Sequence, residues 1–236
     1  MNTQSKKPLP SWLPLLVGAV LIALFAGLGA WQISRGFEKR VEHQLFEDEA
    51  DFASWHEGLV VKPFQRIEVT GTYDSEHQVL LDNIIVNSRY GHYVITPLRT
   101  LGDGPTLLVN RGWIERGEEP PDERALSVPT DWVTIRGRVG HLPRAGMKMG
   151  DAFTPADDWP KNAVYPSYEE MAEALGTDVQ PFVLLMDQGE EHGFSRQWTP
   201  SGFGSEKHYG YALQWFAMAA VLSGLLIWNH RKKKFK

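Results

Sequence analysis

The sequence predicts an α+β membrane protein: two transmembrane helices flanking a periplasmic antiparallel β-barrel or sandwich-like domain with accessory helices. Three observations carry that expectation. Trp12 to Ile33 runs 22 positions without a charge and Gly210 to Trp228 runs 19, each about the length that crosses roughly 30 Å of hydrocarbon as a helix. Between them, short apolar-polar alternations are separated by Gly, Pro and Asp clusters. All 29 acidic residues lie from Glu38 to Glu206, whereas both ends are basic. A charge at mid-bilayer costs on the order of 3 kcal/mol, so two charge-free runs of this length are not accidents. The mean hydropathy of −0.31 excludes a polytopic transporter.

The first element is a tail, residues 1–11, carrying Lys6 and Lys7 and no acid. The first span, residues 12–34, is interrupted only by Pro14 and Gln32. A cleaved signal peptide is the rival reading, with Lys6-Lys7 as its basic start and the small residues from Gly27 to Ala30 as a cleavage site. The apolar run exceeds a usual signal core, and Trp31-Gln32 would begin the mature chain, so a retained span fits better. The Arg- and Ser-rich pattern of a mitochondrial presequence is missing.

The central domain, residues 35–207, begins with an amphipathic continuation of the first helix to about residue 53. Phe37, Val41, Leu45 and Phe52 recur there at helical spacing among charged residues, and Gly58 or Pro63 closes the region. Strands are expected at 66–73, 77–82, 91–98, 106–110, 131–139 and 181–187. Residues 166–176 have the shape of a helix, with Ser167 as N-cap, Glu170 at the capping-box position and Gly176 as stop. Residues 117–121 and 200–204 read as loops, the second a tether into the final span.

That span covers residues 208–229, and residues 230–236 form a basic tail with Arg231, Lys232, Lys233, Lys234 and Lys236. Residues 36–207 hold 16 basic and 29 acidic residues, a net −13 (16 − 29). Short flanking tails obey the positive-inside rule and long loops translocate regardless of charge. Both termini are therefore expected in the cytoplasm and the middle in the periplasm, which fits a bacterial inner membrane, with the lipid bilayer as one partner. The acidic middle offers no basic stripe to neutralise phosphates, which argues against nucleic acid. With no cysteine, disulfides, covalent Cys-x-x-Cys-His haem attachment and thiolate metal sites are all excluded. Stability of the roughly 170-residue domain must come from its own core.

Enzyme signatures are missing: no Gly-x-Ser-x-Gly elbow, no phosphate-binding Gly-x-x-x-x-Gly-Lys-Ser/Thr loop and no His-Glu-x-x-His helix. Asp157-Asp158 and Glu190-Glu191 are sequence neighbours that share no element face, so solvated loops explain them better than acid/base pairs. Met147-Lys148-Met149 admits thioether binding of Cu(I), or simply a loop. Asn110-Arg111-Gly112-Trp113 suggests a bulge or tight turn around Gly112. Two readings stand for it: Trp113 packs on the domain while Arg111 pairs with a carboxylate, or both face the membrane or a partner.

Trp31, Trp215 and Trp228, with Tyr209 and Tyr211, sit near span ends, where aromatic rings favour the interface. Gln32 and Gln214 are polar within or beside apolar helices and are candidates for a bond across the pair. Ala19, Ala23 and Gly27, like Ala220 and Gly224, recur every four residues as close-approach faces. His208 stands at the doorway of the second span. It is either an axial ligand for haem iron or an interfacial histidine without a ligand.

Leu28-Gly29-Ala30-Trp31-Gln32-Ile33-Ser34-Arg35, Val109-Asn110-Arg111-Gly112-Trp113-Ile114 and His208-Tyr209-Gly210-Tyr211-Ala212-Leu213-Gln214-Trp215-Phe216 together resemble, in order and topology, the three signatures of the Surfeit-locus-1 family. Residues 66–73 and 91–98 fall where that family has comparable strands. Glu115 departs from it, where the family has proline. The resemblance implies a non-enzymatic assembly factor for haem-copper cytochrome c oxidase, assisting haem a insertion into or stabilisation of subunit I. It implies partners in subunit I and the haem a biosynthesis enzymes. It also implies haem a as cofactor with His208 as axial ligand, and Arg35 at the same depth is the candidate for a propionate contact. The matching positions are Trp31, Gln32, Arg35, Asn110, Arg111, Gly112, Trp113, Tyr211, Gln214 and Trp215. A two-span binding or sensor module unrelated to oxidase assembly is the competing class.

Overall fold

The computed structural model describes residues 10, 12–102, 104–117, 121, 123–144, 150–155, 158–200 and 204–234. The Met147-Lys148-Met149 stretch and Lys6-Lys7 lie outside the described residues. In chain order the elements are α1 (Leu13–Glu47), β1 (Ala53–Ser54), β2 (Arg66–Tyr73), β3 (Val79–Val86), β4 (Arg89–Thr100), β5 (Thr106–Glu115), α2 (Glu123–Leu126), β6 (Val133–Gly140), β7 (Lys161–Ala163), α3 (Tyr168–Leu175), β8 (Val179–Met186) and α4 (Ser205–Lys234). They divide into a helical unit, Met1–Gln44 with Pro200–Lys236, and a β-rich unit, Leu45–Thr199.

In the helical unit, α1 and α4 are each long and apolar enough to cross a membrane. At 35 residues α1 is roughly 50 Å long, so it outruns the hydrocarbon, as the charged continuation of its sequence predicts. It stops at Glu47, short of the expected end near residue 53. Arg138 takes the carbonyl of Asp48, and Arg66 takes those of Glu49 and Ala50, so the next carbonyls bond to side chains of the β-rich unit instead of continuing a helix.

The two helices run antiparallel. A side chain on Gly18 would meet Leu226, one on Gly29 would meet Phe216, and one on Gly36 would meet Tyr209. These three glycines are the buried residues of α1, and Ala212 and Ala219 are buried on α4. Gly29/Gly36 and Ala212/Ala219 are each seven residues apart, the spacing of a left-handed helix-pair seam. The expected close-approach faces are therefore not the ones used: Ala19, Ala23, Gly27, Ala220 and Gly224 are all exposed.

In the β-rich unit the strand order is β1-β2-β6-β8-β5-β4-β3-β7, and β2 also pairs with β4. That extra pairing, through Gly71–Tyr73 and Leu98–Thr100, closes β2-β6-β8-β5-β4 into a five-stranded barrel. All six expected strands are present, and β1 and β7 are short additions paired parallel to β2 and β3. The barrel is antiparallel except at one seam, where β5 and β8 run parallel. β8 reaches that place through α3, so it need not reverse direction as a hairpin strand must. β3 and β4 are joined by Asn87 and Ser88, both with positive φ (50° and 63°), as a two-residue hairpin turn requires.

Alternation sorts the core. Ile67, Val69, Leu98, Leu107, Val109, Ile135, Val139, Phe182, Leu184 and Met186, drawn from all five ring strands, fill the barrel. Their neighbours of opposite parity, Leu108 and Val183, join Val79, Leu81, Ile95 and Met171 of α3 in a second cluster on the wall. β5 is thus buried on both faces, which explains why its sequence reads as a continuous apolar run rather than an alternation. α3 carries the expected capping box, Ser167 Oγ accepting from the Glu170 amide and Glu170 Oε2 from the Ser167 amide. Gly176 ends it at φ 66°.

Candidate functional site

The Asn110-Arg111-Gly112-Trp113 run lies at the far half of β5, in the β-rich unit. Arg111 is 1% exposed. Its Nε donates to the His192 carbonyl at 2.8 Å. Nη1 donates to Gln78 Oε1 at 3.0 Å and the Leu126 carbonyl at 2.9 Å, and Nη2 to the Ser127 carbonyl at 3.1 Å. The Phe194 ring lies 5.0 Å from the guanidinium carbon. Burial pushes its pKa down to about 10, so it is still a cation at neutral pH. No carboxylate pairs with it among the described residues; carbonyl dipoles and an amide oxygen take the charge instead.

The motif's other members serve the same turn. Gly112 has φ +116°, and a Cβ there would stand 2.8 Å from the Ser195 carbonyl oxygen. Its amide donates to Asn110 Oδ1 at 3.1 Å. Trp113, 6% exposed, donates from Nε1 to the Ile84 carbonyl, and its backbone pairs with Ser195. Arg111 and Trp113 therefore face the interior of this unit, not a membrane or partner. One guanidinium ties β5 to the start of β3, the end of α2 and the 192–195 loop. Gln78, Leu126, Ser127 and His192 are missing from the sequence-based expectation, since backbone carbonyls leave no residue signature. Glu115, the departure from proline, keeps its place in the ladder opposite Gly91 and pairs with Arg89 at 2.7 Å.

In the helical unit, His208 Nδ1 lies 2.8 Å from Gln32 Oε1. An amide oxygen only accepts, so in this arrangement Nδ1 is the donor and Nε2 is the ring nitrogen that does not face Gln32. His208 is half-buried. Next to it Tyr209 packs against Gly36 and meets the Phe37 ring edge-on at 6.1 Å between centroids, while its hydroxyl is buried without a partner among the described residues. Arg35, one turn on from Gln32, pairs with Glu38 at 2.5 Å, both half-exposed. Trp215 leans on Phe25, at 5.7 Å between ring centroids. Trp31, Tyr211 and Trp228 are exposed on the helix surface, as interface aromatics are. Gln214 is exposed, so the bond across the pair is made by Gln32 with His208 rather than between the two glutamines.

The expected residues thus fall into two groups: Trp31, Gln32, Arg35, His208, Tyr211, Gln214 and Trp215 on the helix pair, and Asn110 to Trp113 on the barrel. A family model described as the SURF1 family matches residues 19–220, a span that takes in both groups. The chain belongs to the SURF1 family. A SURF1-like protein of Dictyostelium discoideum is 33% identical, with 83% of this chain and 88% of the relative covered. One of Monosiga brevicollis is 25% identical over 87% of this chain and 83% of its own length. Another, of Rickettsia felis, is 27% identical over 88% and 92%. Within this SURF1 chain the barrel motif is a structural pin, and the helix pair joins His208 to Gln32.

Proposed function

We propose that this chain is an assembly factor for haem-copper cytochrome c oxidase, not an enzyme, which assists haem a insertion into or stabilisation of subunit I. Family membership and the three ordered signatures support the oxidase reading. The observation that carries the haem reading is the His208–Gln32 bond, which leaves one imidazole nitrogen of a half-buried side chain available at a span end.

Haem a is cargo here, and the residues fit it. No three His, Asp or Glu side chains converge on a metal site among the described residues. Haem iron brings its macrocycle nitrogens and asks the protein for an axial imidazole. Arg35 is the cation for a propionate. Its exposed pair with Glu38 is worth about 0.2–1 kcal/mol, little enough for a haem carboxylate to displace. The partners are then subunit I and the enzymes of haem a synthesis. The chain sits in a bacterial inner membrane with both termini in the cytoplasm and the barrel in the periplasm, the arrangement that the charge partition favours.

Deletion of the chain, followed by reduced-minus-oxidised spectra and oxidase activity, tests the proposal. A lowered oxidase haem a signal, restored by the wild-type chain, is expected. An oxidase of normal haem content and activity would sink the reading in favour of an unrelated binding or sensor module.

A further inference from the structure

We infer that Gln32 is a positioning residue for His208: its amide oxygen holds the imidazole as the Nδ1–H tautomer and turns Nε2 into the nitrogen that faces a metal. The inference deepens the haem reading above and rests on it for the identity of the ligand. The geometry stands without it. Nδ1 is 2.8 Å from Gln32 Oε1, and the two ring nitrogens point to opposite edges, so the nitrogen not facing Gln32 is the one open to a ligand. Phe216 against Gly29 and Tyr209 against Gly36 bracket Gln32 along α1, so the helix pair is held together around Gln32 by packing and not by the bond alone. A metal-bound histidine commonly donates its second N–H to an oxygen, which fixes ring and tautomer, and losing that partner typically costs 10–100-fold in metal affinity. In an apolar span, an amide serves this purpose without bringing a second charge into the bilayer.

The alternative is a reversed amide, donating N–H to Nδ1. That would put the imidazole proton on Nε2 and close it to a metal. The two arrangements predict opposite tautomers.

The test uses the full chain in detergent, labelled with 15N-histidine and prepared from cells that make no haem a. Eight histidines are present, and the His208 signals are those lost in His208→Ala. In mildly alkaline buffer, the ring-nitrogen shifts should show Nδ1 protonated and Nε2 bare. Gln32→Glu, which keeps an accepting oxygen, should preserve that pattern. Gln32→Leu should move the proton to Nε2. A wild-type ring already protonated on Nε2, or a tautomer unmoved in Gln32→Leu, would overturn the inference. A second arm uses the same variants from cells that make haem a: Gln32→Leu should lower retained haem by about 10-fold or more, with Gln32→Glu largely retaining it. If the tautomer responds as expected while His208→Ala keeps its haem, the positioning role stands and the ligand role of His208 fails. The two claims therefore fail separately.

Discussion

Arg111 carries a positive charge into a place that is 1% exposed and balances it with three carbonyl oxygens from two separate segments and one glutamine amide. An ammonium has no planar fork to reach them all, so Arg111→Lys should leave buried acceptors unpaired and cost about 2–3 kcal/mol. Melting of the full chain in detergent measures it. Gly112→Ala should cost about 1–3 kcal/mol more directly, because φ +116° and the nearby Ser195 carbonyl both reject a Cβ. Asp74 offers a pH test. Burial would raise its pKa, but the hydrogen bond and charge of His77, then those of Arg99, outweigh this and hold the carboxyl below its ordinary value. A carboxyl depressed in the folded state contributes above its unfolded pKa of about 3.9 and loses that as pH falls through the folded value. Asp74→Asn should therefore cost roughly 1 kcal/mol at pH 7, and the gap to wild type should close below about pH 4. At this scale the sequence identified Gly112 as the strained position, since only glycine suits it. It offered no sight of Arg111's partners, because the oxygens that receive the charge are mostly backbone.

Among the elements, the helix seam is the sharpest lesson. Small residues every four positions mark where helices are able to approach, yet a helix has several such faces and the sequence does not say which one meets the partner. Here the seam runs through Gly18, Gly29 and Gly36, while Gly27 has open space where its side chain would be. Gly29→Leu should thus drive its side chain into Phe216 and lower the melting temperature or yield of the full chain in detergent. Gly27→Leu should leave both near wild type. Equal effects would place the seam elsewhere. The six main strands were legible because alternation and turn residues are local. The parallel β5–β8 seam was not, since pairing partners depend on how α3 brings β8 back and not on the strand's own pattern. β1 and β7, with two and three residues, are too short to carry a period.

For the whole molecule, the two spans were the most legible feature, because a helix of that length lying in water would carry charges along its solvent face. Orientation rests on the basic tails, so alkaline phosphatase fused after Lys234 should be inactive, and the same reporter placed in the Asn87-Ser88 turn should be active. The opposite pattern would invert the chain in the membrane. His208 and Gln32 are 176 positions apart in sequence, and each alone reads as an ordinary residue near a span end. The helix pair is what makes them a unit, in which Nδ1 faces Gln32 and Nε2 does not. The central claim is that this nitrogen takes haem a. Its most direct measurement is the haem content and Soret absorbance of the full chain purified from cells that make haem a, wild type against His208→Ala. Haem a retained by the wild type and lost from the variant is the expected result; an unchanged haem content and Soret band would contradict it.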